Sequence, residues 1–428
     1  MSEKQKKTDS VFTEIQSPQG DRKEKSVLVV GGGISGITAA VEAAETGCTV
    51  YLVEKLPYIG GQVARMNEYF PKLCPPYCGL EINFKRIRNS KRIEVITSAE
   101  VENISGTAGD FSVTLRCEAE YVTSACTVCG DCSSVCPVET ADPFNYEMSR
   151  HKAIDLPHEL SYPNRYYLDD SVCRKGNCSE CASACKYDAI RLDAEPVKRE
   201  INVGSVLFCT GWEAYDPANL TEYSWGKSPD ILNNVMMERL GAPNGPTQGK
   251  ILKPSDGEPA RRIAFIQCAG SRDENHLPYC SSVCCSASLK QAIYFTQQDA
   301  QNQADIFYID LRVSGRNEDF LKRVEIEEQI RLIKGKASKV DFSEGKLLIE
   351  AEDILSGLKI RELYDLVVLA TGVVPNIPVL KDISPDQDGF IAKDALENGF
   401  CAGGCCVEPK DVASTVREST GLVINVLQ

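Results

Sequence analysis

The sequence predicts a doubly wound α/β fold interrupted by a cysteine-rich insertion. Three observations carry this. A short apolar strand (VLVV, 27–30) runs into a glycine-rich turn, a helix-like stretch to about Thr46 and a second strand ending at Glu54. Strand, glycine turn, helix, strand is how a parallel α/β unit opens. From about Glu118 to Ala194 the apolar periodicity weakens and cysteines cluster among Pro, Asn and Tyr. The α/β texture resumes over 201–211, and continues in RRIAFIQC (261–268), the helical SLKQAIYFTQQ and the strand-like DIFYIDLRV. The expected organisation is a mobile tail over 1–25, one α/β domain assembled from 26–117, 195–260 and 362–428, an insert over 118–194, and a second α/β domain over 261–361. A Pro/Gly-rich linker at 244–259 closes the second segment of the first domain. ELYDLVVLATG, 362–372, is read as the return to the first domain, and the final segment has helical spacing.

Composition narrows the function. Of 428 residues, 43% are hydrophobic and 25% charged, which suits globular domains and excludes wholesale disorder. The net charge of −14 argues against nucleic acid or an anionic membrane surface as the main partner. The start, MSEKQKKTDS, has no apolar core of a secretory leader, and no apolar run reaches the 18 or so residues of a membrane span. A cytoplasmic location is therefore expected, with any quinone or membrane chemistry left to a partner protein. The 20 cysteines then point to metal or redox chemistry rather than disulfides. Only three histidines are present, His151, His158 and His276, which excludes a His-rich metal site.

The turn Gly31-Gly32-Gly33-Ile34-Ser35-Gly36 matches G-x-G-x-x-G. Its glycines permit a tight turn, close approach of a pyrophosphate and helix-on-strand packing, and the helix N-terminus then faces the phosphates. Glu54 follows at the end of the next strand, where an acid meets ribose hydroxyls. FAD is the expected nucleotide. Lys55 leads into Gly61-Gln62 of a second glycine turn, Thr210-Gly211 and Thr371-Gly372 each end an apolar strand, and Gly403-Gly404 precedes the last helix. Together these segments resemble the FAD domain of the two-dinucleotide-domain flavoproteins that include thioredoxin reductase. Gly404 stands where that family has Asp. Lys410, with Asp411 in the turn EPKD, is the candidate cation for stabilising reduced flavin; a solvated surface lysine is the alternative reading.

Cys126-x2-Cys129-x2-Cys132-x3-Cys136-Pro137 has bacterial ferredoxin spacing, in which three cysteines reach one cube and the fourth serves another. A second run, Cys173-x4-Cys178-x2-Cys181-x3-Cys185, has two extra residues after its first cysteine. The expected [4Fe–4S] sets are Cys126, Cys129, Cys132 and Cys185, and Cys136, Cys173, Cys178 and Cys181. Zinc is the rival occupant of C-x2-C pairs. In the second α/β domain the turn after the strand reads Gln267-Cys268-Ala269-Gly270-Ser271-Arg272. The glycine fingerprint is missing, so a pyridine-nucleotide site is not expected. Cys268, Cys280, Cys284 and Cys285 occupy the region instead and are candidates for a third cluster, with buried free thiols as the alternative. Adjacent Cys284 and Cys285 require a bent backbone if all four are to converge. Cys74 and Cys78 are candidates for redox activity or for lining the flavin pocket, and Cys401, Cys405 and Cys406 fall near the expected isoalloxazine end; structural roles are the favoured alternative for all five, and core positions for Cys48, Cys117 and Cys209.

The ferredoxin insert within the FAD domain, VVGGGISGITAA, QCAGSRDENHLPYCSSVCC and CAGGCCVEPKD together resemble the heterodisulfide reductase A-subunit family over nearly the whole chain after Val27. The resemblance implies the extra cluster on Cys268, Cys280, Cys284 and Cys285. Within the family, the short length and FPKLCPPYCGLEINF are similar to the A subunit of quinone-interacting membrane-bound oxidoreductases. That likeness implies an FAD and iron–sulfur oxidoreductase subunit that works as part of a complex. Its partners would be another flavin/iron–sulfur protein and a haem-bearing quinone-reactive protein that holds it at the inner membrane face. The complex would link that quinone-reactive partner to a cytoplasmic enzyme such as adenylylsulfate reductase in sulfate reduction. Two rivals remain open: a flavin-based electron-bifurcating subunit of a soluble heterodisulfide reductase complex, and a non-catalytic wiring subunit. The lost second fingerprint gives a direct prediction. NADH or NADPH added anaerobically to the purified, partner-free chain leaves its flavin absorbance unbleached; rapid bleaching would contradict it.

Overall fold

The computed structural model describes residues 13–16 and 26–427, except Ser314, Glu344, Asp382 and Glu397. The expected mobile tail lies outside the described residues apart from Thr13–Gln16, a strand that pairs in parallel with Val197–Val203.

Two five-stranded parallel sheets form the frame. The first has the order Phe400–Ala402, Ser205–Phe208, Ser26–Val30, Thr49–Val53, Ile93–Ile96. Alternate side chains serve its two faces, as the period of two demands. Val27, Val29, Val50, Leu52 and Leu207 pack under the helix Ile34–Glu45, and the last helix, Val412–Leu427, lies beside it. Leu28, Val30, Val53, Val206 and Phe208 face a second layer built on Asp110–Cys117 and Val197–Val203. Both faces are covered, so the strands read as continuous apolar runs.

The second sheet repeats this plan in the order Ile231–Asn233, Leu366–Thr371, Arg262–Ala269, Gln303–Tyr308, Ile330–Lys334. Ile263 and Phe265 meet the helices Asn234–Gly241 and Cys284–Thr296. Ala264 and Ile266 meet the antiparallel strands Ala337–Ser343, Lys346–Asp353 and Leu358–Tyr364. One expectation is corrected here. The strand Leu366–Thr371 does not return to the first sheet; it lies between Ile231–Asn233 and Arg262–Ala269 in the second. A strand buried on both faces carries no alternation to say which parallel sheet it joins, which is why the sequence misassigned it.

The insert contains two short helices, Asp131–Val135 and Glu180–Ala184, and two small antiparallel pairs. Its core is slight: Tyr121, Val122, Ile154, Leu168 and Ile190, with Cys132 and Cys181 among them.

Two consecutive residues of the helix Asn234–Gly241 join the three parts. Glu238 is buried and accepts from Lys290 Nζ (2.9 Å), the Asn67 N–H (3.0 Å), Gln291 Nε2 (2.6 Å) and Tyr294 OH (3.3 Å). Arg239 is fully buried; it donates from Nε to Asn145 Oδ1 of the insert (2.8 Å) and from Nη1 to the Arg65 carbonyl (3.2 Å), and lies over the Phe144 ring. His158 stacks on the other side of this seam, 4.6 Å from Phe144. Burial, then the charges of Arg239 and Arg65, push the His158 pKa down to about 4.

Lys290→Met leaves the Glu238 carboxylate buried without its cation, and is expected to cost about 3–5 kcal/mol of stability in denaturant titrations. His158 gives a pH dependence. The unfolded chain takes up the His158 proton near pH 6.5 and the folded chain only near about 4. The stability from keeping this ring neutral is therefore complete above about pH 6.5 and is lost as the pH falls toward about 4. His158→Leu is expected to lose less stability than the wild type between about pH 7.5 and about pH 5; equal losses would contradict this.

Candidate functional site

The glycine turn is shaped as the fingerprint requires. Gly31 has φ +106°, and a Cβ there would lie 2.3 Å from the Cys209 carbonyl oxygen. A Cβ on Gly36 would lie 1.8 Å from the Gly31 carbonyl oxygen, so only glycine lets the helix sit this close. Gly33 instead faces open space, its nearest neighbour being the Gly61 Cα at 4.0 Å, and the helix it precedes has no side-chain cap. A free helix N-terminus beside an open glycine suits a phosphate. Buried Glu54 accepts from the Gly32 N–H (2.6 Å) and the Leu56 N–H (2.9 Å). Burial pushes its pKa up, partly offset by those N–H groups. A carboxylate has further lone pairs for hydroxyl donors, so this donor set fits a dinucleotide.

The neighbouring segments divide. Thr210 packs against Gly31, and Gly211 is open with φ +72°. Gln62 is clamped: its Oε1 accepts from Tyr146 OH of the insert (2.8 Å), and its Nε2 donates to the Trp212 carbonyl (3.4 Å). Lys55 pairs with Glu213 at 3.4 Å. Gly403 packs tightly against Leu422, and Gly404, at φ +78°, would drive a Cβ to 2.9 Å from Ser35 Oγ. An aspartate at 404 would be strained and crowded, which accounts for the departure from the flavoprotein pattern.

Three expectations are corrected. Thr371 and Gly372 end a strand of the second sheet, where a Cβ on Gly372 would meet Leu277, Ser271 Oγ and Ser281 Oγ, and only the next residues, Val373–Pro375, pair with Trp212–Ala214 of the first domain. Lys410 is neither a free charge nor the solvated surface lysine of the alternative reading: its side chain is largely buried and its Nζ donates to Glu418 Oε2 (2.6 Å) and Glu408 Oε1 (2.8 Å). Glu418 also accepts from Lys393 and the Gly404 N–H. Asp411 accepts the Ser414 N–H (2.7 Å) and so caps the last helix. Glu418, Tyr146 and Arg239 escaped the sequence analysis because their roles rest on long-range contacts that no local pattern announces.

The insert brings Cys126, Cys129, Cys132 and Cys185 to one recess of about 320 Å³, part of it open to solvent. The Ala189 N–H lies 3.4 Å from Cys185 Sγ. Burial, then neighbouring Cys126, pushes Cys132 up to about 12. In the second set, Cys136, Cys173 and Cys178 gather around Cys181, which is raised by burial and then by those three neighbours.

The second domain builds a similar recess of about 300 Å³ from Cys268, Cys280, Cys284 and Cys285, bordered by Arg272 and Arg312. Cys268 is in the left-handed region at φ +55°, and so are Arg272 and Ser282. Those bends let a long loop fold back so that the helix Cys284–Thr296 begins at the recess with its two adjacent thiols. Donors converge on sulfur: the Arg312 N–H on Cys285 and the Ser282 N–H on Cys280, each at 3.4 Å. Burial raises the Cys268 thiol, and the adjacent Arg272 guanidinium draws it back. Among the described residues no three His, Cys, Asp or Glu side chains are placed to hold a single metal ion. The thiols line recesses instead of meeting at a point. The remaining cysteines divide by exposure: Cys74 and Cys78 are exposed, Cys401 is half-buried, and Cys405 and Cys406 are buried.

Residues 26–124 match the FAD dependent oxidoreductase family. The A subunit of the H(2):CoB-CoM heterodisulfide,ferredoxin reductase from Methanothermobacter marburgensis is 34% identical over 415 residues, covering 93% of this chain and 63% of that protein. The chain is homologous to heterodisulfide reductase A subunits. The second iron-sulfur A subunit of CoB--CoM heterodisulfide reductase from Methanopyrus kandleri is 36% identical over 411 residues, covering 92% of this chain and 62% of that protein. The chain thus spans less than two thirds of the length of these relatives. Its fold is that of thioredoxin reductase: the enzyme from T. acidophilum superposes with a TM-score of 0.51 at 14% identity over 94% of this chain and 98% of that one. The Lactococcus lactis enzyme gives 0.52 at 13% identity over 94% and 97%. Residues 26–124 are thus similar to FAD dependent oxidoreductases, and the fold around them is that of thioredoxin reductase. Among the described residues no helix is long and apolar enough to cross a membrane.

Proposed function

We propose that this chain is the FAD and iron–sulfur electron-transfer subunit of a multisubunit oxidoreductase. FAD is held by Gly31, Gly33, Ile34, Ser35 and Gly36, with Glu54 toward the ribose and Gly61, Gln62, Thr210, Gly211, Gly403 and Gly404 around it. Two [4Fe–4S] clusters occupy the insert, and a third the recess of Cys268, Cys280, Cys284 and Cys285. The observation that carries this reading is the recess of Cys126, Cys129, Cys132 and Cys185. Thiols from two turns more than fifty residues apart border one space, with no single-ion geometry among them. Flavin exchanges two electrons and each cluster one, so together they convert between the two. The chain's own residues hold these groups apart at fixed positions, exclude water from Cys132, Cys181 and Cys284, and present N–H donors to sulfur.

The FPKLCPPYCGLEINF segment, which leaves Cys74 and Cys78 exposed, supports a place in a quinone-linked assembly, held at the membrane by a haem-bearing partner and serving a cytoplasmic enzyme of sulfur metabolism such as adenylylsulfate reductase. A second reading, an electron-bifurcating subunit of a soluble heterodisulfide reductase complex, is favoured by the similarity to the A subunit of a reductase of both a heterodisulfide and ferredoxin. Copurification decides between them: a haem-bearing membrane protein supports the first, a soluble hydrogenase or ferredoxin partner the second.

Cofactor content tests the reading itself. Cys129→Ala and Cys284→Ala are each expected to lower the iron content of anaerobically purified protein by about four atoms per chain. Unchanged iron in both variants, or stoichiometric zinc, would overturn it.

A further inference from the structure

The recess in the second domain contains an unmatched donor. Arg272 borders it together with the four thiols. Its Nη2 pairs with Asp310 Oδ2 at 3.1 Å, whereas its buried Nη1 meets no acceptor at hydrogen-bond geometry among the described residues, the guanidinium's other neighbour being the Cys268 thiol. A buried guanidinium N–H without an acceptor is costly, and neutral thiols are weak acceptors. The backbone keeps the side chain there regardless. Arg272 sits at φ +57°, an unfavoured conformation for a side-chain-bearing residue, fixed by the bond from its N–H to the Tyr279 carbonyl. The Asp310–Arg312 segment is anchored at the recess as well, since the Arg312 N–H reaches Cys285 Sγ at 3.4 Å, a bond that a thiolate can accept. The missing partner is therefore an anion that arrives with the occupant of the recess.

Resting on the third-cluster reading, we infer that Arg272 is a redox-tuning residue: its Nη1–H donates to the thiolate or sulfide sulfur of the cluster and stabilises the more negative, reduced form, while Asp310 positions Arg272 and partly offsets its charge. The physics fixes the signs. A cluster ligated by four thiolates is anionic and gains one more negative charge on reduction, so a nearby fixed cation favours the reduced state and a nearby carboxylate opposes it. Neither effect requires a change in cluster content.

The test is an anaerobic redox titration of the full chain, following the reduced-cluster resonances at low temperature, with iron counted on the same samples. The signal absent from Cys284→Ala identifies the third cluster. Arg272→Gln is expected to keep wild-type iron and to lower the ratio of reduced to oxidised third cluster about tenfold at fixed potential, or about 59 mV for a one-electron couple. Asp310→Asn is expected to raise that ratio. Arg272→Lys, which keeps the charge, should fall between Arg272→Gln and the wild type. If Arg272→Gln does not retain the cluster, the Lys and Asn variants carry the same comparison. Iron retained with the ratio unmoved in Arg272→Gln and Asp310→Asn would overturn the inference and leave the third cluster standing. A Cys284→Ala protein with all its iron and every resonance would overturn the cluster itself.

Discussion

The buried ion pair between Glu238 and Lys290 is the joint on which the rest of the molecule depends. Lys290, Gln291 and Tyr294 belong to the helix that Cys284 and Cys285 open, whereas Asn67 follows the Gly61–Arg65 turn of the first domain. One carboxylate thus ties the thiol recess of the second domain to the glycine turns of the first. The next residue, Arg239, extends the tie to the insert through Asn145. A buried charge tolerates little displacement, because moving its partners leaves it unpaired in a medium that solvates it poorly. Electron transfer between fixed centres needs that kind of rigidity, and a chain whose insert has so small an apolar core gains it from charge geometry.

The two halves share one architecture, and their differences locate the chemistry. Both place a five-stranded parallel sheet between helices and an antiparallel layer, and both have a turn after a central strand that leads to a helix. In the first half that turn is six residues of mostly glycine, open at Gly33. In the second it is a long loop with left-handed Cys268, Arg272 and Ser282, and four thiols border the recess it forms. A strand-to-helix turn in this fold presents backbone donors to whatever lies beyond the strand ends. With glycine the turn admits a pyrophosphate, and with cysteine it offers sulfur.

Local features were legible in the sequence. The Gly31 turn, Glu54 and the eight insert cysteines are each written within short windows, and the structure brings Cys126, Cys129, Cys132 and Cys185 together in the grouping that their spacing suggested. Global features were not. The strand Leu366–Thr371 is apolar at every position but its last, so it gave no sign of which sheet it joins. Thr371 and Gly372 moved with it, from the first domain to the edge of the thiol recess. Lys410 was chosen for its charge, and only folding brings Glu418 from the last helix to neutralise it. Arg272 was visible as a residue of the cysteine-rich loop, but its unmatched Nη1 exists only in three dimensions.

The central claim is that one chain joins a two-electron carrier to three one-electron carriers. The most direct test is to count electrons: an anaerobic reductive titration of the purified, partner-free chain, with flavin and iron quantified on the same sample. The account predicts about five electrons per chain, two bleaching the flavin and the remainder the broad iron–sulfur absorbance. Uptake of only about two electrons, with all the bleaching in the flavin bands, would contradict it.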